Sequence, residues 1–307
     1  MRGPWTTPEP LTGEGGGRVE HGERCRVTQD FAEVDERESQ AAEGVSAVAT
    51  WLYDRSGLIA ARPQWVIQEK PVTLHVNGRE VLTLLCAGHH LEEMAAGFCH
   101  AEGFLRKRED LISIEVDGGA GAVHVQTRHE AALAEKLREK RTVTSGCGKG
   151  SLFYYSLDAL LSRPVVSDLR LAPEQILSRV EDLHRRSETY RRTHGVHNTA
   201  LAEPGRIVLF RSDIGRHNAV DMIVGHGFLR GIAFGDKLLL TTGRLTSEIL
   251  IKCAKVGIAV LVSRNTATTL AIELAKALNI TLIGYVRGGK FTVYSGKERL
   301  MDSPPFE

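Results

Sequence analysis

Residues 237–290 read KLLLTTGRLTSEILIKCAKVGIAVLVSRNTATTLAIELAKALNITLIGYVRGGK. Short apolar runs, Lys237 to Thr241, Ala259 to Val262 and Thr281 to Val286, alternate with two longer stretches, Ser247 to Val256 and Thr268 to Leu278, whose apolar residues recur at helical spacing. Short runs bounded by turn residues read as strands, and the longer periodic stretches as helices. This alternation predicts a layered α/β domain in which helices cover a sheet. Working outward, Ile207 to Phe210 adds a strand and Asn218 to Gly225 a helix. Beyond Pro164, the interval Pro173 to Tyr190 predicts one further helix.

Toward the N-terminus the pattern changes. Trp65-Val66-Ile67, Val72 to Val76 and Val81 to Leu85 predict strands, the last two joined by a hairpin turn at Asn77-Gly78. His89 to Leu105 has apolar residues at helical spacing with Gly103 near its stop, and Leu111 to Val116 and Ala122 to Thr127 predict two more strands. A charged helix, His129 to Arg141, leads out of this smaller α+β unit. Residues 1–60 contain Gly15-Gly16-Gly17, scattered prolines and the charge run Glu33 to Glu38, too little apolar surface to bury for their length. The expected organisation is therefore a mobile extension over 1–60 with order beginning near Trp65, a small α+β domain over 61–141, and the layered α/β domain over 142–307.

In layered α/β sheets ligands sit where loops leave the strand ends, and the unusual residues of this chain fall there. Arg216, Arg244, Arg264 and Arg287 follow four successive predicted strands, accompanied by hydroxyls and by glycine amides at helix starts. That is an inventory suited to phosphates. Helix capping by Thr246, Ser247 or Thr268 explains hydroxyls but not four arginines. The array matches neither a Walker loop nor a Gly-x-Gly-x-x-Gly fingerprint, so a nucleotide would be held by another geometry. His194, His197 and His217, with Asp213 and Cys147, read as polar ligand contacts in preference to a zinc site, since the chain has no Cys-x-x-Cys pair. His89, His90, Glu92, Glu93 and His100 do not form a His-Glu-x-x-His array and read as solvated helix positions.

A second informative stretch is Thr142 to Ser151, TVTSGCGKGS. Gly146 and Gly148 let the backbone turn sharply around Cys147, and exposed amides with Lys149 nearby favour its thiolate. Cys147 is a candidate nucleophile or sulfur carrier; the competing reading is a small residue in a tight turn. The wider composition narrows the classes. A formal charge of +1 over 307 residues offers no basic field for nucleic acid. Five scattered cysteines, at 25, 86, 99, 147 and 253, are unlike a secreted disulfide framework. With no apolar stretch of membrane-spanning length and no signal-peptide core, the expected location is cytoplasmic.

Together these motifs resemble the formate dehydrogenase accessory protein family, FdhD, in order over about residues 66 to 300. The shared signatures are Gly97-Phe98 to Glu102-Gly103, Cys147-Gly148-Lys149, Gly195-Val196-His197, Asp213 to Asp221, Gly243-Arg244 to Ser247-Glu248, and Tyr285-Val286-Arg287-Gly288. The resemblance implies a sulfurtransferase that takes persulfide sulfur from a cysteine desulfurase. It passes that sulfur to the molybdenum cofactor, bis(molybdopterin guanine dinucleotide), before the formate dehydrogenase catalytic subunit receives it. It also implies a cytidine deaminase-like larger domain, a homodimer, the cofactor as bound substrate with no permanent metal, and no nucleic-acid or membrane partner. Carried over by residue, Cys147 would hold the persulfide. Tyr285, Val286, Arg287, Gly288, Gly289 and Lys290, with Arg216, His217, Asn218, Gly243 and Arg244, would contact the cofactor. The family usually carries Cys-x-x-Cys in its loop; here Thr144 stands where the first cysteine would be. A non-catalytic cofactor-binding chaperone is the alternative role. The zinc signature of deaminases is absent.

Overall fold

The computed structural model describes residues 44–128, 142–143, 149–150 and 164–301. Strand structure begins upstream of Trp65, where the sequence placed its start: β1 (Val45–Asp54) and β2 (Gly57–Ile67) pair as an antiparallel ribbon. Its apolar residues, among them Trp51, Leu52, Tyr53, Leu58 and Ile59, are exposed. Without a buried face, the ribbon has no apolar alternation to announce it.

The smaller body contains β3 (Lys70–Val76), β4 (Arg79–Cys86), helix α1 (Leu91–Ala101), β5 (Leu111–Asp117) and β6 (Ala122–Thr127). Its strands lie in the order β4-β3-β6-β5. Asn77 and Gly78 have φ of 50° and 75°, the left-handed pair that a tight hairpin turn requires. Alternate residues Val72, Leu74 and Val76 point inward with Val123 and Val125, and Met94 and Cys99 of α1 close over them. Short strands β7 (Thr142–Val143) and β8 (Lys149–Gly150) pair antiparallel. The predicted helix His129 to Arg141, Thr144 and Cys147 lie outside the described residues.

The larger body begins with α2 (Pro173–Arg186) and α3 (Glu188–Thr193), two helices where one was predicted. Ser187 breaks the run with ψ 77° and donates its hydroxyl to Asn198 Oδ1 at 2.8 Å. There follow β9 (His197–Glu203), β10 (Arg206–Asp213), α4 (Arg216–Arg230), β11 (Leu238–Thr241), α5 (Ser247–Val256), β12 (Val260–Ser263), α6 (Thr269–Ala277), β13 (Thr281–Arg287) and β14 (Lys290–Ser295). The sheet order is β10-β9-β11-β12-β13-β14. Strands β11, β12 and β13 are parallel, and β10 runs with them because both β10 and β11 are antiparallel to β9. Strand β14 is antiparallel to β13. The ends of β10, β11, β12 and β13 and the starts of β9 and β14 therefore share one edge.

Helices α1 and α4 cross at near contact, joining the two bodies. A Cβ on Gly225 would lie 1.8 Å from Glu93 O, and one on Gly97 1.9 Å from Asp221 O. Around this crossing Arg211 holds Glu93 through two bonds of 2.6 and 2.7 Å, and His226 Nδ1 lies 2.8 Å from the same carboxylate. Burial pushes the Glu93 carboxyl up, but the bonds from Arg211 and His226 outweigh it and hold its pKa below the ordinary 4.5. A group depressed on folding stabilises above its unfolded pKa, and that contribution is lost as pH falls through the folded value. Glu93→Gln is therefore expected to cost about 2 kcal/mol at neutral pH. Melts repeated down to about pH 3 should show the wild type losing its advantage over the variant. A difference that does not change with pH would contradict this assignment.

Candidate functional site

The shared edge brings together the four loops in which the sequence placed its arginines. At its far side Gly288 and Gly289, with φ of 60° and 70°, turn the chain between the paired residues Arg287 and Lys290. Tyr285 also has a left-handed φ, 53°, which costs a non-glycine residue of order 1–2 kcal/mol. Its amide donates to Asn265 O at 3.1 Å, and a Cβ on neighbouring Gly284 would come within 2.7 Å of that same oxygen. The strand is thus pressed against the loop after β12. The bulge turns the Tyr285 ring outward, 40% exposed, with the Arg287 guanidinium 5.2 Å from its centre.

Two adjoining cavities open along this rim. One, of about 300 Å³, is lined by Leu177, Val180, His184, Arg264, Arg287 and Gly288, with Glu181, Arg185, Val286 and Gly289 completing the wall. The other, of about 500 Å³, is lined by His184, Tyr190, His194, His197, Asn198 and Thr242 together with Arg264. Arg264 Nη1 and His184 Nδ1, 3.1 Å apart, stand between them. His184 was legible only in retrospect: Leu177, Val180 and His184 share the i, i+3, i+7 face of α2 that packs toward the sheet. The sequence reads the basic cluster here, Arg185, Arg186, Arg191 and Arg192, as a solvated face, and gives His184 no role.

Arg216 packs directly on Gly243, where a Cβ would meet the arginine's own Cβ at 2.9 Å. The Gly243 carbonyl accepts from Ser263 Oγ at 2.6 Å, fixing the loop that carries exposed Arg244. Burial, then the charges of Arg216 and Arg244, lower the pKa of His197, so its imidazole is neutral near pH 7. His217 is lowered further, to about 3, by burial and then by Lys252 and Arg216, and its Nε2 lies 3.2 Å from Glu248 Oε2. The electrostatic character of the region is a surplus of positive charge held around neutral imidazoles. That favours an anion.

Asp213, read in the sequence as a polar ligand contact, has another role. It is fully buried and accepts from Ala87 N at 2.8 Å, Gly215 N at 2.9 Å and Asn218 Nδ2 at 2.8 Å. Asn218 also donates to Leu85 O at 3.0 Å, so the Asp213–Asn218 motif pins the end of β4 to the start of α4. Capping accounts for Thr268, whose hydroxyl accepts from Ala271 N at 3.4 Å, but not for Thr246, whose buried hydroxyl has no hydrogen-bond partner. The predicted cofactor residues thus divide. Tyr285 to Lys290 and Arg244 lie at the open rim, Arg216 and His217 are partly buried behind it, and Asn218 is committed to the fold.

Comparison with known proteins places this arrangement. The FdhD/NarQ family model matches residues 67–301. A sulfur carrier protein FdhD of Bacillus subtilis is 39% identical over 252 residues, covering 82% of this chain and 96% of its own. One from Staphylococcus aureus is 40% identical over 251 residues, covering 82% and 94%. A crystal structure from Desulfotalea psychrophila, named for the formate dehydrogenase accessory proteins, superposes with a TM-score of 0.69 at 27% identity, covering 84% of this chain and 99% of that one. The family match begins as β2 ends and runs through both bodies and the arginine-bearing rim to the last described residue, and on that extent the chain belongs to the FdhD/NarQ family.

Proposed function

We propose that this protein is a sulfur carrier of the formate dehydrogenase system. It takes persulfide sulfur from a cysteine desulfurase onto Cys147 and transfers it to bis(molybdopterin guanine dinucleotide) held at the rim. The observation that carries the reading concerns the other thiols. Cys86, Cys99 and Cys253 are all fully buried. Burial pushes Cys86 up to about 11 and Cys253 to about 12, and raises Cys99 as well. A carrier must expose a thiolate to donor and acceptor, which these three cannot do. Cys25 lies outside the span matched by the family, leaving Cys147 within it. Intact mass after incubation with a cysteine desulfurase and cysteine is expected to show one added sulfur, lost in Cys147→Ala. Labelling that survives this substitution would refute the assignment.

In this reading the protein works in the cytoplasm as a homodimer, its larger body layered like a cytidine deaminase. The positive rim supports binding of the cofactor's phosphates, and guanine is taken as the base at its recognised end. GDP at tenfold excess over its dissociation constant should then stabilise the fold by about 1.4 kcal/mol, because only the native state binds it. Arg287→Ala should diminish that protection, since it removes the charge at the turn over Gly288 and Gly289. Equal protection by GDP and CDP would exclude guanine recognition.

A further inference from the structure

We propose that β1 is the edge through which two copies of this chain join: it pairs antiparallel with the β1 of a second copy about a twofold axis at Thr50, and the two ribbons become one four-stranded sheet. This deepens the homodimer reading above and rests on it, but is tested separately from it. Only Ile67 of the ribbon falls within the residues the family model matches, so the ribbon's partner is read from its own residues. The ribbon is seated at its base, where the Arg192 guanidinium lies 4.7 Å from the centre of the Trp65 ring and a Cβ on Gly195 would come within 2.7 Å of Ile67 Cγ2. Farther out, Trp51 and Tyr53 are 58% and 66% exposed. A two-stranded hairpin without further cover is marginal in water.

Among the described residues neither outer edge of the ribbon is paired, and the two edges differ. Gln68 N donates to Gly44 O at 2.7 Å, which makes that pair hydrogen-bonded, and every second pair along the ladder follows it as far as Thr50 with Arg62. The pairs between them, Ala49 with Pro63 among them, aim their backbone groups out of the ribbon. On β2 that edge carries Pro63, which has no N–H to offer, beside the charge of Arg62, and both discourage a further strand. On β1 the edge runs from Val45 to Tyr53 with no charge, proline or glycine, and the register shift near the tip leaves its extra residue, Ile59, on β2. An open strand of this composition is a template for another strand, and its sequence suits itself. About Thr50, Trp51 falls opposite Ala49 and Tyr53 opposite Ala47, large against small on one face, while Leu52 meets Val48 on the other. Ala49 and Trp51 both present outward backbone groups, so the two copies can exchange them reciprocally, as an isologous contact requires.

The test is sedimentation equilibrium of the full chain, with cross-linking and hydrogen exchange beside it. Wild type should dimerise, and Thr50→Cys should form an intermolecular disulfide with oxidised glutathione, because a wide antiparallel pair sets its Cα atoms about 4.5 Å apart, within disulfide reach. Val48→Cys, which meets Leu52 of the second copy and not its own counterpart, should not cross-link above the background that the native thiols give in wild type. Ala49→Pro removes one outward N–H from each copy and no bond within the ribbon, and should raise the dimer dissociation constant about tenfold or more. Trp51→Lys, at an exposed position that spares the core, puts charge on the edge and should do the same. Protection of the Ala49 and Trp51 amides should fall as the dimer dissociates. A dimer that keeps its wild-type affinity in both variants and gives no Thr50→Cys cross-link would overturn the strand pairing while leaving the homodimer standing. A monomeric wild type would overturn both, and amides of β1 protected in that monomer would assign the edge to another segment of the chain.

Discussion

Cys147→Ala is expected to abolish formate dehydrogenase maturation, reducing activity to that of a strain without the protein, while leaving the melting temperature within about 2 °C of wild type. A carrier cannot be bypassed by a neighbouring thiol here: Cys86, Cys99 and Cys253 are sealed in the interior with their thiols held protonated. Substituting those three should have the opposite signature. Cys99→Ser or Cys253→Ser should lower stability by placing a hydroxyl in an apolar interior, yet the protein that remains folded should still be labelled by the desulfurase. Complementation of a deficient strain by Cys147→Ala, in the same assay that reports the wild type, would end the carrier assignment.

Gly225→Ala is expected to be the most destabilising glycine-to-alanine change among the described residues. Adding methylenes to a packed interior costs typically about 1–3 kcal/mol, because side chains yield. Here the new atom meets backbone, Glu93 O at 1.8 Å and Gly97 N at 2.6 Å, and the two helices must separate. A loss of about 3 kcal/mol, at the top of that range, lowers the melting temperature of a chain this size by about 6–12 °C. Gly205→Ala, where a Cβ meets nothing within 4 Å, provides the control and should be near neutral. If the two variants melted together, the close approach of α1 and α4 would not exist in solution.

The strands and helices of the larger body were legible where burial imposes a period. The helix Ser247–Val256 coincides with its predicted span, β11 and β12 follow apolar runs that sit wholly inside, and β13 does so as far as Gly284. Strand β9 was not, because it opens His-Asn-Thr and looks polar. Asn198 and Thr199 are nevertheless buried between β10 and β11, where Ser187 and Thr241 provide partners that only the tertiary fold supplies. Strand β14 was missed beyond the Gly288-Gly289 turn, its residues nearly all half-buried or exposed at a sheet edge. In the site, arginines on successive loops could be recognised from their placement after predicted strands. The structural duty of Asp213 could not be, since its partner Ala87 is distant in sequence.

Helix α4 turns Met222 into the smaller core and Val220, Ile223 and Val224 into the larger one. A single element that completes two interiors gives neither a private boundary. Melting one body exposes the apolar face of a helix the other still needs, so the chain should unfold in one cooperative transition rather than two. Calorimetric and van't Hoff enthalpies should then agree, and amides of β3 and of β11 should exchange with a common free energy of opening. Truncations that divide the chain ahead of α4 should likewise leave α1 without its cover, yielding fragments that associate through that face instead of folding independently.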